Sequence, residues 1–75
     1  MNETMYRAIF SRPEGLDEAT VNTLRQTEEA AAEGDLLQLI EVTDVCATFG
    51  VTAELFDADN RKRGTVDAKG NYTLT

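Results

Sequence analysis

The sequence has 75 residues, of which 14 are acidic and seven are basic, so its formal net charge is −7. A chain of this length forms one domain, residues 1–75, and buries about 60–65 % of its unfolded surface. One cysteine and no histidine exclude a disulfide framework and a Cys/His zinc site within one chain. An acidic protein is repelled by phosphate backbones, so direct binding of nucleic acid is not expected.

The start of the chain, Met1–Thr4, lacks the basic region and the apolar run of a secretory signal peptide. The sequence also lacks any run of about 20 apolar residues that could cross a membrane. Together these features predict a cytoplasmic protein that does not act at a membrane.

The first predicted element is a strand over Thr4–Ser11. Apolar side chains fall on both of its faces, which is typical of a strand covered on both sides or by a partner chain. One face carries Tyr6, Ala8 and Phe10, and the other carries Met5 and Ile9. The following Arg-Pro-Glu-Gly ends the strand, because proline cannot donate to a ladder.

The clearest pattern predicts a helix over Glu18–Glu33, with Asp17 as its N-cap and Gly34 as the residue that ends it. Its predicted buried side is rich in alanine and threonine and consists of Leu16, Ala19, Thr20, Thr23, Leu24, Thr27, Ala30 and Ala31. The opposite, solvated side consists of Asp17, Glu18, Arg25, Glu28, Glu29 and Glu33.

Residues 35–49 allow two interpretations. A helix ended by Gly50 would carry a narrow polar stripe of Glu41, Asp44 and Thr48, with Ile40 and the other apolar residues around the rest. The alternative is a buried strand over 36–42 followed by one helical turn capped by Thr43, because β-branched residues lower the helix propensity. The helix is the favoured interpretation.

Residues 51–75 predict a three-stranded antiparallel meander. A two-residue Asp59-Asn60 turn would pair Phe56 with Arg63, Leu55 with Gly64 and Ala53 with Val66. A second turn, Asp67–Gly70, would pair Val66 with Tyr72 and Gly64 with Leu74. Both turns place the same apolar residues on one face: Val51, Ala53, Leu55, Val66, Tyr72 and Leu74. The predicted fold class is α+β, a two-layer sandwich in the order β-α-α-β-β-β.

The sequence predicts no catalytic, cofactor-binding or metal-binding residues. Cys46 has no histidine base to activate it and lies on the apolar side of its helix, so it is expected in the core. The segment 57–60 starts like a calcium loop, but Ala68 stands where that loop needs a glutamate, so a hairpin tip is the better interpretation. Lys62 is expected to pair with Asp57 across this hairpin.

Two surfaces are candidate protein-binding sites. The first is acidic, since residues 14–44 hold nine acids and one arginine, and its candidate residues are Asp17, Glu18, Glu28, Glu29, Glu33, Glu41 and Asp44. The second is Phe56 with Arg63 on the polar face of the meander. If Met5 and Ile9 share that face, they complete an apolar patch suited to a partner or to dimerisation.

The leading hypothesis is a small non-catalytic protein that occupies a basic surface of a partner, such as a nucleic-acid-binding protein. By analogy of size and charge it would be an inhibitor of the anti-defence type encoded by phages and mobile elements, such as an anti-CRISPR. Mimicry of nucleic acid would be partial, because about 15 Å of helix separates Glu18 from Glu28. The alternative is a structural or accessory subunit that homodimerises through its sheet.

Overall fold

The computed structural model of this chain describes residues 4–75. Met1–Glu3 lie outside the described residues, so the structure does not bear on the localisation prediction made from the start of the chain. In chain order the elements are β1 Met5–Phe10, α1 Glu18–Ala32, β2 Leu37–Gln38, α2 Leu39–Phe49, β3 Ala53–Phe56, β4 Lys62–Val66 and β5 Tyr72–Leu74. The class is α+β as predicted, with a fifth strand, β2, that lies within the alternative strand over 36–42 and is absent from the favoured interpretation.

The strands form one antiparallel sheet in the order β2-β1-β3-β4-β5. Strand β1 is internal, since it pairs with β2 at Met5 and Tyr6 and with β3 from Arg7 to Phe10. The sheet curls, so that Gln38 of β2 and Tyr72 of β5, from its two edges, line one groove. The predicted order β-α-α-β-β-β therefore lacks the strand between the helices.

The core lies on one face of this sheet. Tyr6, Ala8 and Phe10 of β1 are buried as predicted, whereas Ile9 on the opposite face is 49 % exposed. The helices complete the core with Leu24 and Ala31 of α1 and with Val42 and Cys46 of α2, and β3 and β4 contribute Ala53, Leu55 and Val66. Within the described residues, the helices therefore cover one face of β1, and the predicted cover on both faces is not found.

Helix α1 begins and ends where its sequence signals predict. The backbone N–H of Thr20 donates to Asp17 Oδ1 at 2.8 Å, which is the N-cap bond. At the other end Gly34 has φ +106°, and its N–H donates to the carbonyl of Ala31 while that of Asp35 reaches Ala30. These are the two bonds of a Schellman motif, and they satisfy the last carbonyls of the helix.

The buried side of α1 is rotated from the predicted one. Leu24 is buried and Glu28 is half-buried, whereas Ala19 and Thr23 are exposed. Periodicity alone placed Glu28 among the solvated acids. In the structure its carboxylate instead accepts the backbone N–H of Phe10 at the edge of β1.

The structure resolves the ambiguity of residues 35–49 mostly in favour of the helix. Leu39–Phe49 is helical and Gly50 ends it, but residues 35–38 are not helical, and Leu37–Gln38 pair with β1 instead. The alternative strand over 36–42 is present only at Leu37–Gln38, and the residue that caps the helix is not Thr43 but Gln38. Its backbone N–H donates to Glu41 Oε2 at 2.8 Å, as in a capping box.

The turn between β3 and β4 differs from the prediction by one residue. Asn60, at φ +66°, ends a three-residue loop, and the N–H of Asp57 donates to the Arg61 carbonyl at 2.9 Å. Phe56 therefore faces Lys62 rather than Arg63. Arg63 forms a bulge and has no partner on β3. This extra residue restores the predicted partners further along, Leu55 with Gly64 and Ala53 with Val66.

The turn between β4 and β5 has the predicted register, with Val66 opposite Tyr72 and Gly64 opposite Leu74. It repeats the first turn ten residues later along the chain. In each turn an aspartate Oδ1 accepts two backbone N–H groups at 2.9 Å: Asp57 from Asp59 and Arg61, and Asp67 from Lys69 and Asn71. The short side chain of aspartate thus holds both tips of the meander closed.

These turns make the stability of the chain sensitive to acid. The N–H of Arg61 lowers the pKa of Asp57 below its ordinary value of 3.8, and the N–H of Asn71 does the same for Asp67. Because both pKa values are lowered on folding, their stabilisation is complete above about pH 4 and is lost as the pH falls through the folded values.

We therefore expect the midpoint of urea unfolding to fall from pH 5 to pH 3 by more in the wild type than in an Asp57→Asn, Asp67→Asn variant. Asparagine keeps the Oδ1 acceptor and cannot titrate. The fall that remains in the variant therefore measures the contribution of all the other carboxylates. Equal falls in the two proteins would contradict the assignment of this acid sensitivity to the turns.

Candidate functional site: a groove between α2 and β5

Three large apolar side chains are exposed on one side of the molecule: Ile40 by 65 %, Tyr72 by 54 % and Leu74 by 48 %. They line an open groove of about 640 Å³ between the first turns of α2 and the edge strand β5. We call it the α2–β5 groove, and its full lining is Thr4, Tyr6, Gln38, Leu39, Ile40, Thr43, Gly70, Tyr72 and Leu74. Apolar surface gathered in a concave site is typical of a binding site.

The groove exists because β5 continues the sheet beyond the area that the helices cover. Tyr72 and Leu74 lie on the core side of the sheet, as the pairing with β4 requires. Helix α1 packs on β1, and α2 packs on β1, β2 and β4. The last strand therefore presents core-type side chains that the helices leave about half exposed.

One end of the groove is closed by the turn before β5. An added Cβ at Gly70 would lie 3.0 Å from the Thr43 carbonyl oxygen and 3.1 Å from Ala47 Cβ. The turn therefore rests directly against α2, and glycine allows both this approach and the positive φ of +87°.

One predicted acidic residue of α2, Asp44, lies near the groove. Glu41 and Asp44 are both exposed, and Asp44 lies one helical turn after Ile40, on the same side of α2. Ile40 itself was predicted on the apolar side of the helix, and its exposure shows that the stripe facing solvent is wider than predicted. The structure thus brings one of the predicted acidic site residues, Asp44, near the apolar groove, whereas the Glu41 carboxylate caps α2 at Gln38.

The other predicted acids lie on α1. Asp17, Glu18, Glu29 and Glu33 are exposed there, and the only ion pair among them in the described residues joins Arg25 to Glu29 at 3.5 Å. Asp17 is also the N-cap, and hydrogen bonding by Thr20, through its side chain and its backbone N–H, lowers the pKa of the Asp17 carboxyl. These four residues form a solvated acidic face, as predicted, separate from the lining of the groove.

Glu28 does not belong to that acidic face. Its Oε2 accepts the backbone N–H of Phe10 at 2.6 Å, and its Oε1 accepts from the Arg12 guanidinium at 2.7 Å. The N–H of Phe10 points to the side of β1 where β2 would continue, but β2 reaches no further than the partner of Tyr6. The carboxylate takes the place of that missing strand and covers the edge.

Glu28→Ala should lower the free energy of unfolding by about 1–2 kcal/mol, because it removes a charged hydrogen bond to the backbone and an ion pair. The matched control is Glu29→Ala on the same helix, which removes an exposed acid and should stay within about 0.5 kcal/mol of wild type. Equal urea midpoints for the two variants would show that Glu28 is no more than a surface charge.

Phe56 and Arg63 also occupy positions that differ from the predicted site. Phe56 is half-buried and faces Arg7 across the β1–β3 pair, so it shares the outer face of the sheet with Met5 and Ile9. Arg63 Nε instead donates to Asp57 Oδ2 at 2.8 Å, which replaces the predicted Lys62–Asp57 pair. The two residues do not form one site.

Cys46 is fully buried in the core, as predicted. Burial raises the pKa of its thiol to about 11, with a smaller contribution from the charge of Asp67. The side chain is therefore a neutral thiol near pH 7 and acts as a small apolar residue. Within residues 4–75 no three acidic, cysteine or histidine side chains gather at a distance suited to a metal ion.

Sequence reasoning placed Tyr72 and Leu74 on the core face and did not recognise the groove. The signal that could have found it is the run Gly70–Thr75, which carries no charged side chain although it contains the last predicted strand. None of the helices in the described part of the chain combines the length and apolar character that a membrane span requires. Comparison with protein-family models, with curated proteins and with solved structures gives no match for this chain.

Proposed function

We propose that this chain is a protein-binding module that catalyses no reaction and binds a basic region of a partner protein at the α2–β5 groove. The observation that carries the proposal is the exposure of Ile40, Tyr72 and Leu74 in one concave site. Covering such side chains is favourable by about 25 cal/mol per Å² of apolar surface, and buried aromatic anchors dominate many interfaces.

Negative charge near the groove supports a basic partner. Asp44 lies one helical turn after Ile40 of the groove, and the whole chain carries a net charge of −7. Complementary charge at the edge of an interface speeds association and selects the partner. Basic surfaces of this kind are common on nucleic-acid-binding proteins, and a module that covers one would act as an inhibitor of that protein.

The test is affinity capture from a lysate of the cells that encode the chain, with three baits compared. The groove bait is Tyr72→Ser, Leu74→Ser; the control bait is Glu29→Lys, Glu33→Lys on the acidic face of α1. We expect wild type and control to retain the same proteins, and the groove bait to lose them. Retention by the groove bait, or loss with the control bait, would contradict a binding site in the groove.

A second candidate function is an accessory subunit that dimerises through the outer face of the sheet. The observation in its favour is that Ile9, 49 % exposed, lies there with the half-buried Met5 and Phe56. For this function, sedimentation should show a dimer that Phe56→Glu converts to a monomer. A wild type that sediments as a monomer at high concentration would contradict it.

A further inference from the structure

The free edge of the sheet runs along the α2–β5 groove. The N–H of Asp67 donates to the Asn71 carbonyl at 2.8 Å, and the N–H of Thr75 donates to the Arg63 carbonyl at 2.9 Å. In an antiparallel ladder, hydrogen-bonded pairs alternate with pairs that do not bond each other. Residues 71, 73 and 75 therefore bond to β4, and the N–H and C=O groups of Tyr72 and Leu74 point away from it.

This edge is short, with three residues from Tyr72 to Leu74, but it lacks the other features that normally prevent pairing. Exposed edge strands in natural proteins are also protected by charged residues, proline or a bulge. Gly70–Thr75 contains no charge and no proline, and the bulge of the meander lies between β3 and β4. The residues whose backbone groups have no partner within residues 4–75, Tyr72 and Leu74, are also residues whose side chains line the groove.

An incoming strand would pair with the outward-pointing backbone groups of β5 and cover its exposed side chains at the same time. Its backbone would pair with Tyr72 and Leu74, and every second side chain would point to the core side of the sheet, into the groove. Asp44, which is exposed on α2 one helical turn after Ile40, offers a negative charge near the apolar lining. This geometry fits apolar residues flanked by lysine or arginine.

We propose that the α2–β5 groove binds an extended, basic segment of another protein, which adds to β5 as a sixth strand of the sheet. This inference rests on the proposed function, because it names the kind of partner that the groove takes. A second copy of the chain fits less well, since its own edge is uncharged and both copies carry a net charge of −7.

The first step of the test is selection from a displayed library of random octapeptides on the immobilised wild type. We expect enriched sequences in which apolar residues alternate and lysine or arginine exceeds aspartate and glutamate. The best sequence is then synthesised, and its binding is followed through the backbone amides of Tyr72 and Leu74. Both amides should become protected from hydrogen exchange when the peptide is bound.

Two further comparisons isolate the backbone and the charge. Methylating the peptide nitrogens that face β5 should weaken binding by about tenfold or more, whereas methylating the intervening nitrogens should have little effect. Asp44→Lys should weaken binding and reduce its salt dependence, while Glu33→Lys, the same charge change on α1, should change affinity far less.

Several outcomes would overturn the inference while leaving a binding groove in place. They are a peptide that binds as a helix, equal effects of the two methylation patterns, or enrichment of acidic or neutral sequences. Protection of Tyr72 and Leu74 amides without peptide, together with self-association, would assign the edge to a second copy. Absence of enrichment, or equal enrichment on Leu74→Glu, would overturn the inference and count against the groove itself.

Discussion

Replacing Leu24 by alanine should lower the free energy of unfolding by about 3–4 kcal/mol. Leu24 is fully buried and is the one large apolar side chain that α1 places at the centre of the core. Truncating a buried leucine removes its transfer free energy and leaves a cavity that the surroundings fill incompletely. The other fully buried residue of α1, Ala31, is too small to compensate.

The matched control for Leu24→Ala is Thr23→Ala, at the preceding and exposed position of the same helix. Alanine has the higher helix propensity, so this variant should be as stable as wild type or slightly more stable. Urea unfolding followed by circular dichroism at 222 nm measures both. A cost below about 1 kcal/mol for Leu24→Ala would mean that α1 is not anchored to the sheet as described.

Replacing Gly64 by valine should destabilise the chain by about 3 kcal/mol, because it leaves no room for the pairing of β4 with β5. A Cβ at this position would overlap the Thr73 carbonyl oxygen and would lie 3.0 Å from Leu74 Cα. Both are backbone atoms and cannot move away as a flexible side chain could, so the cost is at the upper end for overpacking. Strand β5, which carries Tyr72 and Leu74 of the groove, would then detach from β4.

The neighbouring Thr65→Val is the control, because Thr65 is exposed on the same strand and valine has nearly the same shape. This variant should stay within about 0.5 kcal/mol of wild type. The amide of Thr75, which donates to the Arg63 carbonyl, should lose its protection from exchange in Gly64→Val alone. Retained protection would show that β5 tolerates a side chain at residue 64.

Local signals in the sequence predicted the parts of the fold that local interactions decide. Asp17 and Gly34 mark the ends of α1 because their bonds are to residues three or four positions away. Likewise the alternation of Val66, Tyr72 and Leu74 predicted the register of β4 with β5, since a slip of one residue would reverse every side chain.

The parts that the sequence did not predict depend on contacts between distant residues. Leu37–Gln38 has no strand pattern of its own and becomes β2 through its pairing with Met5 and Tyr6. Glu28 looks like any exposed acid until the unpaired N–H of Phe10 is placed beside it. Periodicity also tells which face of β5 points to the core side, but not how far the helices extend over that face.

The position of β1 within the sheet also bears on how the chain folds. Strands β3, β4 and β5 are joined by two short hairpins, which close quickly because little chain entropy is lost. Strand β1 has partners that lie far along the chain, at Leu37–Gln38 and at Ala53–Phe56. Contacts of this sequence separation slow folding, so we expect docking of β1 onto a preformed meander to limit the rate, and substitutions in β1 to change the folding rate more than substitutions in β5.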